Sequence, residues 1–485
     1  MKTQKPLRDL IPEIITHVAT QAGRLHHNAQ LLAAWEGRIL PLVEESMQKE
    51  LSPSAFARAR QRIAPINLIL KVVEKLSKVY SGEPSRTSED QSLVDWYVEI
   101  LALNQQLSLC QKMFNLHKYT ALEPYVADGK PALRIIPASR FTVYSDSQER
   151  NTEPSVFIKF VGDCLGVEAY DSNGALLPRQ QVALYYLYSD DEFLAVDSEG
   201  AVRQEFMGES DGTNPYGQIP FVYVSASDFE LIPTADTDML PMAVGIIKLL
   251  TDLNYATGFM SHSVIYIIDA EASGLSANPD SVWMIKSSEG EGKTPSIGTI
   301  EPKVQVEATL KLIESQASMW LESRGIKSGS LGKATAGSSS SGVAKMLDEG
   351  DATDIKREQM VVFRGVEKRL WNLIAAMHGV WTSQSLIDTE VPGVFSKKPH
   401  VTVSYEDPTA NKTDKERLAE IKDACALGIM SVRQAARTYY PSMTEDQLDE
   451  LLLEIAKEKA AKTPPALQSE FKPPFPPEVA DDAGQ

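Results

Sequence analysis

The stretch LGKATAGSSSSGVAKMLDEG, residues 331–350, separates two of the longest helical patterns in the chain with a Ser/Gly run that can bury almost nothing. On its N-terminal side, residues 304–325 read VQVEATLKLIESQASMWLESRG, and three- and four-residue spacing puts Val306, Leu310, Ile313, Ala317, Trp320 and Leu321 on one helical stripe. On its C-terminal side a second pattern runs from about residue 343 to 380, roughly 38 residues and ~57 Å if unbroken, with bends invited at Gly350 and Gly365. That is longer than a compact domain needs. A small, polar, Gly-containing loop placed between two such helices changes shape at little entropic cost and can slide past a charged surface without locking on to it.

Upstream, residues 236–263 form another helical pattern. It opens on acidic residues, carries Pro241 near its first turn, and repeats Ile246, Leu249, Leu250 and Leu253 along one side. Between this helix and the Trp320 helix lies a small piece, residues 265–303, with strand-like runs IYIID and SVWMIKS and a charged, Gly-rich tip, SSEGEGKTPSIG.

The N-terminal part, from Asp9 to about Ala121, is expected to be helical; in INLILKVVEKLSKVYSG the residues Ile66, Leu70, Val73, Leu76 and Tyr80 share a face that Gly82 and Pro84 end. From Leu122 to Val224 the period changes. Short β-branched and aromatic runs (ALRIIP, RFTVYSD, SVFIKFV, VALYYLYS, FVYVS) alternate with the turn signals DGKP, DSNG and NPYG, which predicts a mostly antiparallel sheet region. VTVSYEDP adds one strand beyond residue 380, followed by two polar-faced helices, DKERLAEIKDACALG and TEDQLDELLLEIAKEKAAK. The Pro-rich end, residues 463–485, is expected to stay disordered or extended. The fold class is therefore α+β, predominantly helical, without internal repeats.

Composition narrows the function. Lys and Arg total 48 against 66 for Asp and Glu, a formal net charge of -18, which argues against a surface that grips nucleic-acid phosphates everywhere. Cys110, Cys164 and Cys425 are scattered without a CxxC pair, so neither a disulfide framework nor a zinc site is expected. The N-terminus MKTQKPLRDLIPEIITHV lacks the apolar core of a signal peptide, and no long uncharged apolar run suggests a membrane span. The expectation is a soluble protein made in a reducing cytoplasm.

The candidate catalytic signals are weak. SSEGEGKT, residues 287–294, ends like a phosphate-cradling loop, but the position that needs the first glycine is Ser287, and Pro295 follows at once. The seven histidines form no HExxH, and adjacent His26 and His27 point to different helix faces. GSSSSG is not framed as GxSxG and has no nearby histidine to act as base. No catalytic residue, metal or cofactor is expected.

In the order of its segments, and in the strings NPYGQIPFVYVS, SSSSGVAKML and ALGIMSVRQAARTYYPSMTEDQLDELLLEIAKE, the chain resembles the portal proteins of tailed double-stranded DNA bacteriophages, the ring at one capsid vertex through which DNA is packaged and ejected. The resemblance implies a wing over residues 1–235, stem helices at 236–263 and 304–325, a clip at 264–303, a tunnel loop at 326–342, a long wing helix and closing strand at 343–406, and crown helices at 407–462.

It implies further that the loop side chains Lys327, Ser328, Ser330, Lys333, Thr335, Ser338, Ser339, Ser340 and Ser341 face passing DNA, and that Lys286, Glu289, Glu291 and Lys293 in the clip meet the motor and then an adaptor. Ile246, Leu250, Leu253, Val306, Ile313 and Trp320 would pack the stem, including against copies of itself in a closed ring of about twelve. An acidic subunit repeated around a channel lines it with negative charge that repels phosphate and prevents stalling. The implied partners are double-stranded DNA in transit, the terminase large subunit, an adaptor or head-completion protein, and the major capsid and scaffolding proteins; the implied location is the capsid vertex of the virion, after synthesis in the bacterial cytoplasm. The rival from a different class is a monomeric or dimeric helical adaptor without a channel. A nucleotide-dependent or hydrolytic enzyme comes third, with only GEGKT behind it.

Overall fold

The computed structural model describes residues 3–146, 153–166, 180–208, 210–227, 229–260, 264–268, 270–272, 285–287, 296–300, 306–326, 342–388, 391–395, 399–405, 414–428, 430–440, 448, 451–453 and 455. The chain divides into two compact units, Met1–Pro408 and Thr409–Gln485. It is mixed α+β, with helix predominating among the described residues.

The N-terminal segment is mostly helical, in several helices with one short strand among them. It contains α1 (Leu7–Trp35), α2 (Leu40–Glu50), α3 (Pro53–Arg60), α4 (Leu68–Leu76), the short strand β1 (Ser85–Thr87), α5 (Gln91–Ile100) and α6 (Leu103–His117). The expected face of α4 is corrected. The Asn67 side chain accepts from the Leu70 backbone N–H at 2.9 Å and starts the helix there, leaving Ile66 outside and 42% exposed. Ile69, Val72 and Val73 then form the buried side, Leu70 and Leu76 are half-buried, and Tyr80 falls in a separate turn at Val79–Ser81.

Lys118 takes φ +66, and the chain turns directly from α6 into β2 (Tyr119–Ala127), which lies between β3 (Lys130–Ile136) and β8 (Val222–Ser225) in an antiparallel sheet. The β2–β3 hairpin closes through Asp128 and Gly129, both at positive φ, as a DG turn demands. A second antiparallel sheet runs β4 (Phe141–Tyr144), β5 (Val156–Leu165), β6 (Gln181–Tyr188) and β7 (Phe193–Asp197), with a register shift between Phe160 and Gly162. One face of it is covered by the first half of α1: Leu7, Leu10, Ile14 and Val18 pack with Val156, Leu184 and Leu187. At the other end of α1, Leu31 and Ala34 join a different core, and so one helix ties sheet to bundle.

Next come α7 (Met239–Met260), the strands β9 (Val264–Ile268), β10 (Ala270–Ala272), β11 (Ile285–Ser287) and β12 (Ser296–Ile300), then α8 (Val306–Glu322) and α9 (Gly342–Ser383). The small piece between α7 and α8 is built of two antiparallel pairs, β9 with β12 and β10 with β11. Helix α9 is one element of 42 residues that carries through Gly350 and Gly365. Its stripe Met360, Phe363, Val366, Leu370, Ile374, Met377 and Trp381 is buried with α5, α6, β2 and β8, each fully buried large side chain contributing about 1.5–3 kcal/mol. The strand β13 (Thr402–Ser404) pairs with β1.

In the second unit the described helices are α10 (Asp414–Ala426) and α11 (Val432–Tyr439), the latter opened by a capping box from Ser431 and Gln434. Residues 463–485 lie outside the described residues.

Candidate functional site

The two helices that flank the four short strands are fastened at one end by a polar clamp. Asp236 and Asp238 stand just before α7, and Arg324 just after α8. The Arg324 guanidinium spans both carboxylates, Nη1 to Asp236 Oδ2 at 2.5 Å and Nη2 to Asp238 Oδ1 at 2.6 Å. The Trp320 indole N–H donates to Asp238 Oδ2 at 2.8 Å, and the guanidinium lies 5.0 Å from the Trp320 ring centroid. Lys118, at the α6–β2 junction, adds a contact of 3.2 Å to Asp236.

Two forked charge-assisted bonds on a largely buried arginine fix direction as well as distance, so the clamp sets where α8 ends relative to where α7 begins. Burial acts to raise the Asp238 carboxyl pKa, but the Trp320 N–H and the Arg324 charge outweigh it and hold it below the ordinary aspartate value.

Directly after the clamp, Gly325 takes φ +68, and the Ile326 N–H reaches back to Leu321 O at 3.0 Å, closing the helix C-terminus. Ile326 is buried in the same apolar cluster as Trp320 and Leu321. A Cβ built on Gly325 would come within 2.9 Å of Ile355 Cδ1 of α9, so the long helix presses on this corner. The chain therefore leaves α8 toward residue 327 from a fixed point.

Of the residues expected to pack the stem, Ile246, Leu253, Ile313 and Trp320 are buried within this chain, while Leu250 and Val306 are half-buried. Leu310, placed on the same stripe by its spacing, is 41% exposed. The sequence reading passed over a second stripe on α8. Ala308, Leu312, Ser315 and Met319 recur at four, three and four residues, all are exposed, and Leu312 and Met319 are exposed by 49% and 61%. The 3.5-residue repeat was visible, but it was masked by the stronger stripe on the other side.

Among the clip residues, Lys286 sits in β11, where the register sets it opposite Glu271 of β10. Glu289, Glu291 and Lys293 lie outside the described residues, as do Lys327, Ser328, Ser330, Lys333, Thr335, Ser338, Ser339, Ser340 and Ser341.

Among the described residues no group of three or more His, Cys, Asp or Glu is placed to hold a metal ion, and no helix is long and apolar enough to cross a membrane. Cys110 is buried, and burial pushes its thiol pKa well above the ordinary range, which keeps it protonated and unreactive.

No protein-family model matches the chain, and no curated protein does. Among solved structures it is similar to a chain from the virion of a native gene transfer agent particle, with 10% identity over 80% of this chain and 93% of that one, at a TM-score of 0.36.

Proposed function

We propose that this chain is the portal protein of a tailed bacteriophage, assembling as a ring of about twelve copies at one capsid vertex. The reading rests on the likeness of its sequence strings and segment order. The observation that carries it is the α7–α8 pair, clamped by Arg324 to Asp236 and Asp238, with a four-strand lobe between the two helices and a 42-residue helix after them. A stem needs two helices held at a fixed spacing, a protruding lobe at one end and a loop leaving from the other.

The exposed stripe on α8 fits the same reading. Leu312 and Met319 are costly to leave in water, and a ring repeats one contact between unlike faces of neighbouring copies until it closes. In this role the loop at residues 327–341 brushes the duplex through serine and threonine hydroxyls and two lysines, while the acidic body repels it. The protein then performs no chemical step. It positions the terminase motor during packaging and an adaptor protein afterwards, through the lobe.

Deleting residues 331–341 tests the channel role: rings should form as before while DNA packaging or retention fails, and particles that fill normally would overturn the assignment. The second reading, a monomeric or dimeric helical adaptor, is favoured only if the assembled mass stays below that of a ring.

A further inference from the structure

A cleft of about 590 Å³ opens between the outer face of α9 and the segment leading into β13. Arg364 and Lys368 of α9 line one side, His400 and Thr402 the other, and Trp371 and Asn372 complete it. None of the described residues lining it is acidic. Arg364 and Lys368 are exposed, and neither has a carboxylate partner among the described residues.

This is unexpected in a chain with 66 acidic and 48 basic residues, where cations find carboxylates easily. The next acid along α9, Glu367, is turned inward and held by Arg86, Tyr80 and Tyr405, so it neutralises nothing in the cleft.

The arrangement costs stability without a ligand. Arg364 and Lys368 are four apart on one helix face, and like charges at that spacing repel. The polar side chains that reach the cleft among the described residues, Arg364, Lys368, Asn372, His400 and Thr402, are donors or can serve as donors: guanidinium, ammonium, amide, imidazole and hydroxyl.

We infer that this cleft binds a phosphate group. A tetrahedral anion with several acceptor oxygens meets donors converging from two sides, whereas a carboxylate offers only two oxygens in one plane. The inference is independent of ring formation, because both walls belong to one copy of the chain.

The test uses the full-length protein at fixed ionic strength. Inorganic phosphate binding is measured by titration calorimetry, and binding of a labelled 12-base-pair duplex by fluorescence anisotropy. Wild-type protein should bind phosphate saturably, Arg364→Gln with Lys368→Gln should weaken it at least tenfold, and Arg58→Gln with Lys71→Gln, the same charge change at exposed positions elsewhere, should leave it unchanged. Displacement of the duplex by phosphate assigns the source as a nucleic-acid backbone; phosphate binding without duplex binding assigns a free or small-molecule phosphate. Absence of saturable phosphate binding would overturn the inference, as would equal binding by the cleft variant, or binding of a hexaglutamate peptide that phosphate does not displace. Assembly mass recorded on the same samples reports on the ring separately.

Discussion

Arg86, on a three-residue strand, and Glu367, in the middle of α9, form a fully buried ion pair across 281 residues of sequence, with Nε to Oε2 at 2.6 Å and Nη2 to Oε1 at 3.2 Å. Further hydrogen bonds surround the pair: Asn104 accepts from Arg86 Nη1 at 2.8 Å, and the hydroxyls of Tyr80 and Tyr405 donate to Glu367 Oε1 at 2.9 and 3.1 Å. Burial, followed by the Glu367 charge, raises both tyrosine pKa values and keeps these hydroxyls as donors. The network pins β1 and β13 to the long helix.

Removing one partner leaves the other charge buried and alone. Arg86→Ala is expected to destabilise the fold by about 3–5 kcal/mol, and Arg86→Met combined with Glu367→Met by clearly less, because no ion is then stranded. Urea unfolding of the two variants at equal protein concentration checks the ordering.

Gly325 is constrained twice, by φ +68 and by the approach of Ile355. Gly325→Ala should cost about 1–2 kcal/mol, and Ile355→Val in the same chain should recover part of it by removing the Cδ1 in the way. Thermal unfolding of the single and double variants provides the measurement, and full additivity would show that the contact does not matter.

His117 is fully buried, and neither ring nitrogen has a hydrogen-bond partner among the described residues. Burial, helped by nearby His27, lowers its pKa from 6.5 to about 3. Between those values the unfolded chain binds a proton that the native chain refuses, so stability falls as pH drops below 6.5, by about 1.4 kcal/mol per pH unit from this group. His117→Leu should flatten that slope. An unchanged pH profile between 6 and about 4 would show that His117 is not the group responsible.

The second stripe on α8 offers a test of assembly that spares the fold. Leu312→Glu with Met319→Glu changes two exposed side chains and should leave the stability of one copy within about 0.5 kcal/mol, while the assembled species shrinks. Rings of full mass from this variant would remove the stripe from the lateral contact.

What the sequence showed depended on how local the cause was. VALYYLYS and FVYVS were legible as strands because a short β-branched and aromatic run is a local signal, and the DG turn declared its own hairpin. The α4 face was misjudged because Asn67 moved the helix start beyond Ile66, a cap that competes with the apolar period. Strand β1 could not be read at all: three residues carry no pattern, and its partner lies at Thr402–Ser404. The same distance hid the clamp. Trp320 stood out on its stripe, but nothing in the spacing joins Arg324 to Asp236 and Asp238, which come together only once α7 and α8 are side by side.

The central claim is that many copies of this chain encircle a channel, and the mass of the purified assembly tests it most directly. Sedimentation velocity, read together with end-on images of the same sample, should give a closed ring with a central hole and a mass of roughly 640 kDa, twelve times 53.4 kDa. A single species at one or two times 53.4 kDa, without a hole, would contradict it.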